Sequence, residues 1–215
     1  MKRVVVTGIG MVTALGQDVP TNWDNLVKGQ SGAGPITRFD ASKFKTQFAC
    51  EVKGLDVESI FDRKEARRYD RYIHFAVYSA EEAMRDADID MSQEDAFRCG
   101  VIYGSGMGGV HMLDENISAF GAGDGTPRYS PFFIPMIITN MAAGMLAIRY
   151  GFRGVNYATT SACASSSHAI ANAFYQIRMG LADVIISGGS EAAVDWSGIG
   201  GFNALHALST RNDAP

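Results

Sequence analysis

Thr160-Ser161-Ala162-Cys163-Ala164-Ser165-Ser166-Ser167 is the run in this sequence best suited to chemistry. Val155–Thr159 before it reads as a strand, and residues 164–179 after it read as a helix. Cys163 therefore falls at a strand-to-helix turn, beside the first positions of the helix. Unpaired N–H groups there carry partial positive charge, which favours a thiolate. Small neighbours leave room for a substrate carbonyl, and backbone N–H groups at such a turn can stabilise a developing oxyanion. A lone cysteine is more commonly a buried structural residue, and local geometry alone leaves both readings open. Cys50 and Cys99 have no comparable setting and read as structural.

A cysteine nucleophile needs partners. His168 is nearest, but five residues along a helix is a rotation of about 140°. It is expected to face away from Cys163 and to be a satisfied packing residue. His74, His111 and His206 cannot be placed near Cys163 by spacing.

Two other motifs need weighing. Gly104-Ser-Gly106-Met-Gly108-Gly109 follows the strand-like Val101-Ile102-Tyr103 and matches GxGxxG. A dinucleotide fingerprint belongs on the first strand, with an acidic residue closing the next one. Here Asp124 has roughly the spacing but sits in a Gly-Ala-Gly-Asp-Gly loop, and Gly8-Ile-Gly10-Met-Val-Thr13 lacks the third glycine. Nucleotide binding is rejected on that context. Lys64, Arg67, Arg68 and Arg71 follow helical spacing and are expected to share one face. Such rows are usually solvated surface, but in a protein of net charge -4 this one could steer an acidic partner.

The elements that must position these residues alternate strand and helix, which indicates an α/β layered fold. Val4–Thr7 reads as the first strand. A short helix is expected from Pro20 to Gly29, and a long one from about Lys64 to Ala87. Ala66, Tyr69, Ile73, Ala76, Ala80, Ala83 and Ala87 form the buried stripe of that long helix. Pro135 is expected to open an apolar helix ending before Gly151, and Val184–Ser187 to form another strand. Between Ser161 and Ile177 there is no Asp, Glu, Lys or Arg. A helix uncharged on all sides is buried on all sides, so this one is expected between two sheets.

Composition sets outer bounds. The chain has 215 residues, 47% of them hydrophobic, enough for a substantial core. Its acidity argues against nucleic-acid binding. Three scattered cysteines make neither a disulfide framework nor a zinc site. Lys2-Arg3-Val-Val-Val6 superficially resembles a signal peptide, with Val12-Thr13-Ala14 as a cleavage site, but Thr7, Gly8 and Gly10 interrupt the apolar run. No stretch reaches the ~18 uncharged apolar residues of a membrane span. A cytoplasmic location is expected.

The whole chain resembles the beta-ketoacyl-acyl-carrier-protein synthases. The resemblance rests on Cys163 in Ser-Ala-Cys-Ala-Ser-Ser, the opening Val-Val-Thr-Gly-Ile-Gly, Gly104-Ser-Gly-Met-Gly-Gly and Ser130-Pro-Phe-Phe-Ile-Pro135. Gly188-Gly-Ser-Glu191 and Leu208-Ser-Thr-Arg-Asn-Asp213 complete it. Gly200-Gly-Phe202 and the Ser-Pro-Phe-Phe segment favour type II over type I, while Gly154-Val-Asn-Tyr-Ala leans slightly the other way. A polyketide ketosynthase is an alternative, as is a non-catalytic chain-length-factor-like subunit, against which Cys163 argues.

The resemblance implies a thiolase-like α-β-α-β-α layered fold and a homodimer, with this chain covering most of the first α/β half. It implies a decarboxylative condensation of an acyl thioester on Cys163 with malonyl-acyl-carrier protein, without metal or redox cofactor. Residue by residue it implies Cys163 as nucleophile and oxyanion donor, and Met107 as a gate to the acyl pocket. It implies Phe202 as pocket lining, and Phe133 and Ile134 as substrate-binding residues near the dimer interface and the partner subunit's acyl pocket. Lys64, Arg67 and Arg68 match the site where carrier protein docks. The family's two catalytic histidines, its lysine and its second oxyanion donor belong to the carboxy-terminal half, beyond Pro215. A half-sheet left open would expose a strand edge and the apolar face of the central helix, so this chain is expected to be part of a longer protein.

Overall fold

The computed structural model describes residues 2–215. Helix α1 (Val19–Val27) precedes a small antiparallel pair, β1 (Gly34–Pro35) and β2 (Phe48–Ala49). Two helices follow, α2 (Arg63–Ala66) and α3 (Arg71–Ala87), and then the buried strand β3 (Cys99–Gly104). The glycine turn leads into α4 (Val110–Ala122), α5 (Phe133–Ile137) and α6 (Met141–Tyr150). Strand β4 (Asn156–Thr159), helix α7 (Ser165–Arg178), strand β5 (Val184–Gly189) and helix α8 (Trp196–Ala204) complete the chain.

The main sheet is parallel, ordered β4-β3-β5, with Ile102 opposite Tyr157 on one side and Ser187 on the other. Parallel strands need crossovers, and helices accordingly cover both faces. On one face Val101 and Tyr103 pack with Ile73, Ala76, Val77 and Ala80 of α3 and Ala142, Ala143 and Leu146 of α6. On the other, Ile102 packs with Ala169 and Ala173 of α7. An α-β-α sandwich results, consistent with the expected α/β class.

Helix α7 is buried on one side only. Ala169 is sealed on the sheet, but Ile170, Phe174, Tyr175 and Met179 are open to solvent. The expected burial on all sides is therefore half met within this chain, with one face on the sheet and the other open.

The expected first strand, Val4–Thr7, has no ladder partner among the described residues. It runs across a groove of about 600 Å³ from β5 and rests on α3. Gly8 and Gly10 permit that approach, since a Cβ at Gly10 would stand 1.8 Å from the Ser79 carbonyl oxygen and one at Gly8 2.1 Å from that of Ala83. The Ile9 and Met11 amides donate to Asp86 and Glu82, each at 2.9 Å. Side chains of α3 thus supply what a neighbouring strand would.

Two expected helices are each divided. The Lys64–Ala87 segment breaks at Asp70, whose carboxylate accepts from the Tyr72 amide at 3.2 Å and caps α3. Ile73, Ala76 and Ala80 keep their places on the buried stripe, joined by Tyr72 and Val77. Arg71 falls outside the basic row: its guanidinium donates to the Val52 carbonyl at 3.2 Å and lies over the Phe75 ring. Pro135 lies inside α5 rather than opening a longer helix. The break after α5 is held by Tyr72, whose hydroxyl donates to the Ile138 carbonyl at 2.6 Å. Burial pushes that phenol's pKa up, so it stays a neutral donor. Gly151, at φ +69°, ends α6 in the left-handed conformation.

Candidate active site

Between β4 and α7 the backbone turns within five residues. Ala162 takes φ +52°, a left-handed conformation that few non-glycine residues adopt. Ser165 braces the turn: its hydroxyl donates to the Ala162 carbonyl at 2.6 Å and accepts from the Ser161 amide at 2.9 Å. Thr159 Oγ1 donates to the Ser165 carbonyl at 2.8 Å. Ser165 is thus a built support for the turn, which leaves Cys163 exposed. Cys99 is buried in β3, as a structural cysteine would be, whereas Cys50 is exposed, contrary to expectation.

His168 is not packed in a core. It is exposed, and its Nδ1 lies 2.6 Å from Ser161 Oγ, two residues before Cys163. His74 lies between α2 and α3, its Nε2–H donating to the Ala66 carbonyl at 2.9 Å. Burial holds its pKa below the ordinary imidazole value, with the Ala66 bond acting in the opposite sense.

The glycine turn 104–109 meets the Cys163 turn directly. A Cβ at Gly104 would stand 2.5 Å from the Ser165 carbonyl carbon, and one at Gly106 3.5 Å from the Ala162 carbonyl oxygen. Gly108, at φ +67°, and Gly109 give the same close approach to α5, whose Ile137 and Met136 carbonyls a Cβ would strike at 2.5 and 2.0 Å. Cys163, the partly exposed Met107, and the segment carrying Phe133 and Ile134 are thereby drawn around one turn. Phe202 stands on α8, 37% exposed, and Ile134 is 57% exposed.

Three carboxylates hold this turn and the start of α4. Glu191 Oε2 accepts from the Gly106 and Met107 amides at 2.7 and 3.1 Å. These N–H groups are what a phosphate would require, and they are already engaged, which agrees with rejecting the nucleotide reading. Asp195, which caps α8 by accepting from the Trp196 amide at 2.7 Å, also pairs with His111 Nδ1. Asp70 accepts from the Met112 amide at 3.2 Å. Burial raises the Asp70 pKa, opposed by its bonds from the Tyr72 and Met112 amides. Sequence spacing gave no sign of the contacts to Gly106, Met107, His111 and Met112, because each of these pairs is more than forty residues apart.

The basic row lies on α2 and the turn after it. Asp62 caps α2 by accepting from the Lys64 and Glu65 amides, each at 2.8 Å. Lys64 and Arg67 are exposed. Arg68 is half-buried, its guanidinium over the ring of Phe132.

An exposed cysteine thus stands at a strained strand-to-helix turn, fronted by a glycine turn on a parallel sheet. The chain belongs to the beta-ketoacyl synthase family: the family's N-terminal domain matches residues 1–215. It is 44% identical over 214 residues to proteins named 3-oxoacyl-[acyl-carrier-protein] synthase 2 from Synechocystis sp. and Coxiella burnetii, covering all of this chain and 51% of each relative. It is 43% identical over 219 residues to the chloroplastic 3-oxoacyl-[acyl-carrier-protein] synthase I of Hordeum vulgare, covering 47% of that protein. The chain thus spans about half the length of the curated relatives it matches. In structure it is similar to a beta-ketoacyl synthase from Burkholderia phymatum, with a TM-score of 0.88 at 29% identity, covering all of this chain and 53% of that one. The ishigamide ketosynthase/chain length factor is also similar, with a TM-score of 0.85 at 26% identity over 95% of this chain and 51% of that one. The sandwich described above is the α/β fold of those ketosynthases.

Proposed function

We propose that the protein containing this chain is a type II beta-ketoacyl-acyl-carrier-protein synthase that elongates fatty acids by two carbons. Cys163 attacks the carbonyl of acyl-carrier protein, forms a thioester and releases the carrier thiol. Malonyl-carrier protein then loses carbon dioxide. The resulting carbanion attacks the thioester carbonyl, giving a 3-oxoacyl-carrier protein and returning the Cys163 thiolate. Exposure of Cys163 at the Ala162 turn is the observation that carries this reading, since a nucleophile must meet a carrier-bound thioester arriving from solvent. The names of the Synechocystis and Coxiella relatives support the substrate class.

Met107, Phe133, Ile134 and Phe202 are proposed to line or gate the acyl pocket, and Lys64, Arg67 and Arg68 to dock the acidic carrier protein. The exposed apolar residues Ile117, Phe120, Tyr129 and Ile134 on the α4–α5 side support a homodimer, and a cytoplasmic location suits the carrier-bound substrates. Among the described residues no helix is long and apolar enough to cross a membrane. Identity to the barley synthase I is nearly as high as to the type II relatives, so a type I synthase is the second reading, separated by acyl-length preference.

The test is intact-mass and peptide mass spectrometry of the whole protein after incubation with acyl-carrier protein. The acyl group is expected on Cys163, and Cys163→Ala should abolish acylation and condensation. Acylation at Cys50 or Cys99 would overturn the assignment.

A further inference from the structure

Glu191 and Asp195 lie on one short stretch between β5 and α8, and they grip the Met107 turn at its two ends. On the near side, one oxygen of Glu191 takes both the Gly106 and the Met107 amides. On the far side, Asp195, 3% exposed, pairs with His111, four residues past Met107 in the first turn of α4. His111 Nε2 is also 3.3 Å from Glu115 on its own helix. Asp195 is at the same time the cap of α8, the helix that carries Phe202. A shift of α8 therefore pulls on α4 through His111, and a shift of the 190–195 stretch pulls on the backbone of Met107 itself.

We infer that Glu191 and Asp195 are positioning residues that set where Met107 stands relative to Phe202, and with that the length of acyl chain accepted. The inference rests on the proposed function only for what the pocket holds. The clamp itself follows from the contacts. Backbone glycines make a turn that is compliant by composition, because Gly104, Gly106, Gly108 and Gly109 restrict the chain little. A compliant turn bearing the gate needs external acceptors to keep one geometry: Glu191 takes two of its amides, and Asp195, four residues on in the same stretch, holds His111 just past it. Since Glu191 uses one oxygen for both amides, a glutamine carbonyl can take its place, whereas alanine cannot.

The experiment uses the whole protein with Glu191→Gln, Glu191→Ala, Asp195→Ala and His111→Ala. Hydrogen exchange of the 104–111 peptide reads the clamp directly, and elongation of carrier-bound acyl chains of several lengths reads the gate. Exchange should quicken by about fivefold or more in Glu191→Ala and His111→Ala and change little in Glu191→Gln. The ratio of kcat/KM for long against short chains should move by about tenfold in the alanine variants and stay near the parent's in Glu191→Gln. If Glu191→Ala or Asp195→Ala does not fold, His111→Ala decides, since His111 is partly exposed and its loss leaves the α8 cap in place. Unchanged exchange overturns the clamp. Faster exchange with an unchanged chain-length ratio overturns the gating role, and so does a Glu191→Gln variant as altered as Glu191→Ala. A parent protein that elongates no acyl chain would refute the proposed function instead, while the exchange data would still decide whether the clamp exists.

Discussion

The guanidinium of Arg68 stands 4.6 Å from the ring centroid of Phe132, so the basic row and the segment leading into Phe133 and Ile134 are in physical contact. A cation over an aromatic face is attracted by about 0.5–1 kcal/mol when exposed and more when desolvated. Arg68 is therefore a different residue from its neighbours Lys64 and Arg67, which only face solvent.

This difference gives a prediction for docking. Lys64→Glu and Arg67→Glu should each raise KM for carrier-bound substrates, and the effect should fade at high salt, because exposed charges are screened beyond about 8–10 Å. Arg68→Ala should also raise KM, but part of its effect should persist at high salt, since a ring contact is lost along with a charge. Steady-state kinetics at low and high ionic strength separate the two. Equal salt dependence for all three variants would show that the Phe132 contact has no role in docking.

A second prediction concerns pH and the joint between α2 and α3. His74 is buried beside Phe61 and holds the Ala66 carbonyl, and its pKa is depressed by that burial. Between its folded value and the ordinary ~6.5 the unfolded chain binds more protons, so stability rises with pH across that window. The contribution is complete above about pH 6.5 and is lost as pH falls below it, with a slope of at most about 1.4 kcal/mol per pH unit. His74→Gln should remove this slope. Urea midpoints measured at pH 5.5 and 7.5 check it, and a variant with the parent's pH dependence would assign the acid sensitivity to another group.

The Cys163 turn can be tested by steric substitution. Gly104→Ala would place a methyl 2.5 Å from the Ser165 backbone, forcing the first turn of α7 off the sheet. Overpacking of this kind costs about 1–3 kcal/mol, and it should also slow alkylation of Cys163. Ala162→Gly should be tolerated within about 1 kcal/mol, because φ +52° suits glycine while the unfolded chain gains freedom. Ala162→Val should be poorly tolerated at the same angle. Peptide-resolved alkylation is required, since Cys50 is exposed as well. A harmless Gly104→Ala would mean that β3 and α7 are less tightly joined than these distances state.

Much of this arrangement was legible in sequence because it is local. The strand, turn and helix around Cys163 follow from Val155–Thr159, the small residues after it and the uncharged run from Ser161 to Ile177. What failed was set by distant partners. Val4–Thr7 reads as a strand because its residues favour one, but pairing needs a neighbour, and none of the described strands pairs with it. Asp70 is an ordinary helix-interior candidate in a periodic run until its carboxylate is seen to cap α3 and take the Met112 amide. Glu191 was visible within a motif, yet its hold on Gly106 and Met107 spans about 85 residues and leaves no periodicity to find.

The last prediction follows from the surfaces this chain leaves open. Residues 1–215 produced alone should associate, because Ile170 and Tyr175 on α7, Met179 and Leu181 after it and Val6 across the β5 groove are all more than half exposed. Contiguous apolar surface of that kind marks an interface or an aggregation site. The same fragment should lack condensing activity although Cys163 is intact. Two of its four histidines are engaged elsewhere: His74 in the α2–α3 joint, and His111 with Asp195 and Glu115. His168 is held by Ser161, and His206 sits exposed after α8. Decarboxylation needs polar groups for the departing carboxylate and the developing enolate, and general acid–base help typically contributes about 10²–10⁴-fold. Size-exclusion chromatography and a condensation assay with acyl- and malonyl-carrier protein check both halves of the prediction. A soluble monomeric protein of these residues with near-normal turnover would place the groups that assist decarboxylation within them, with His168 the first to examine.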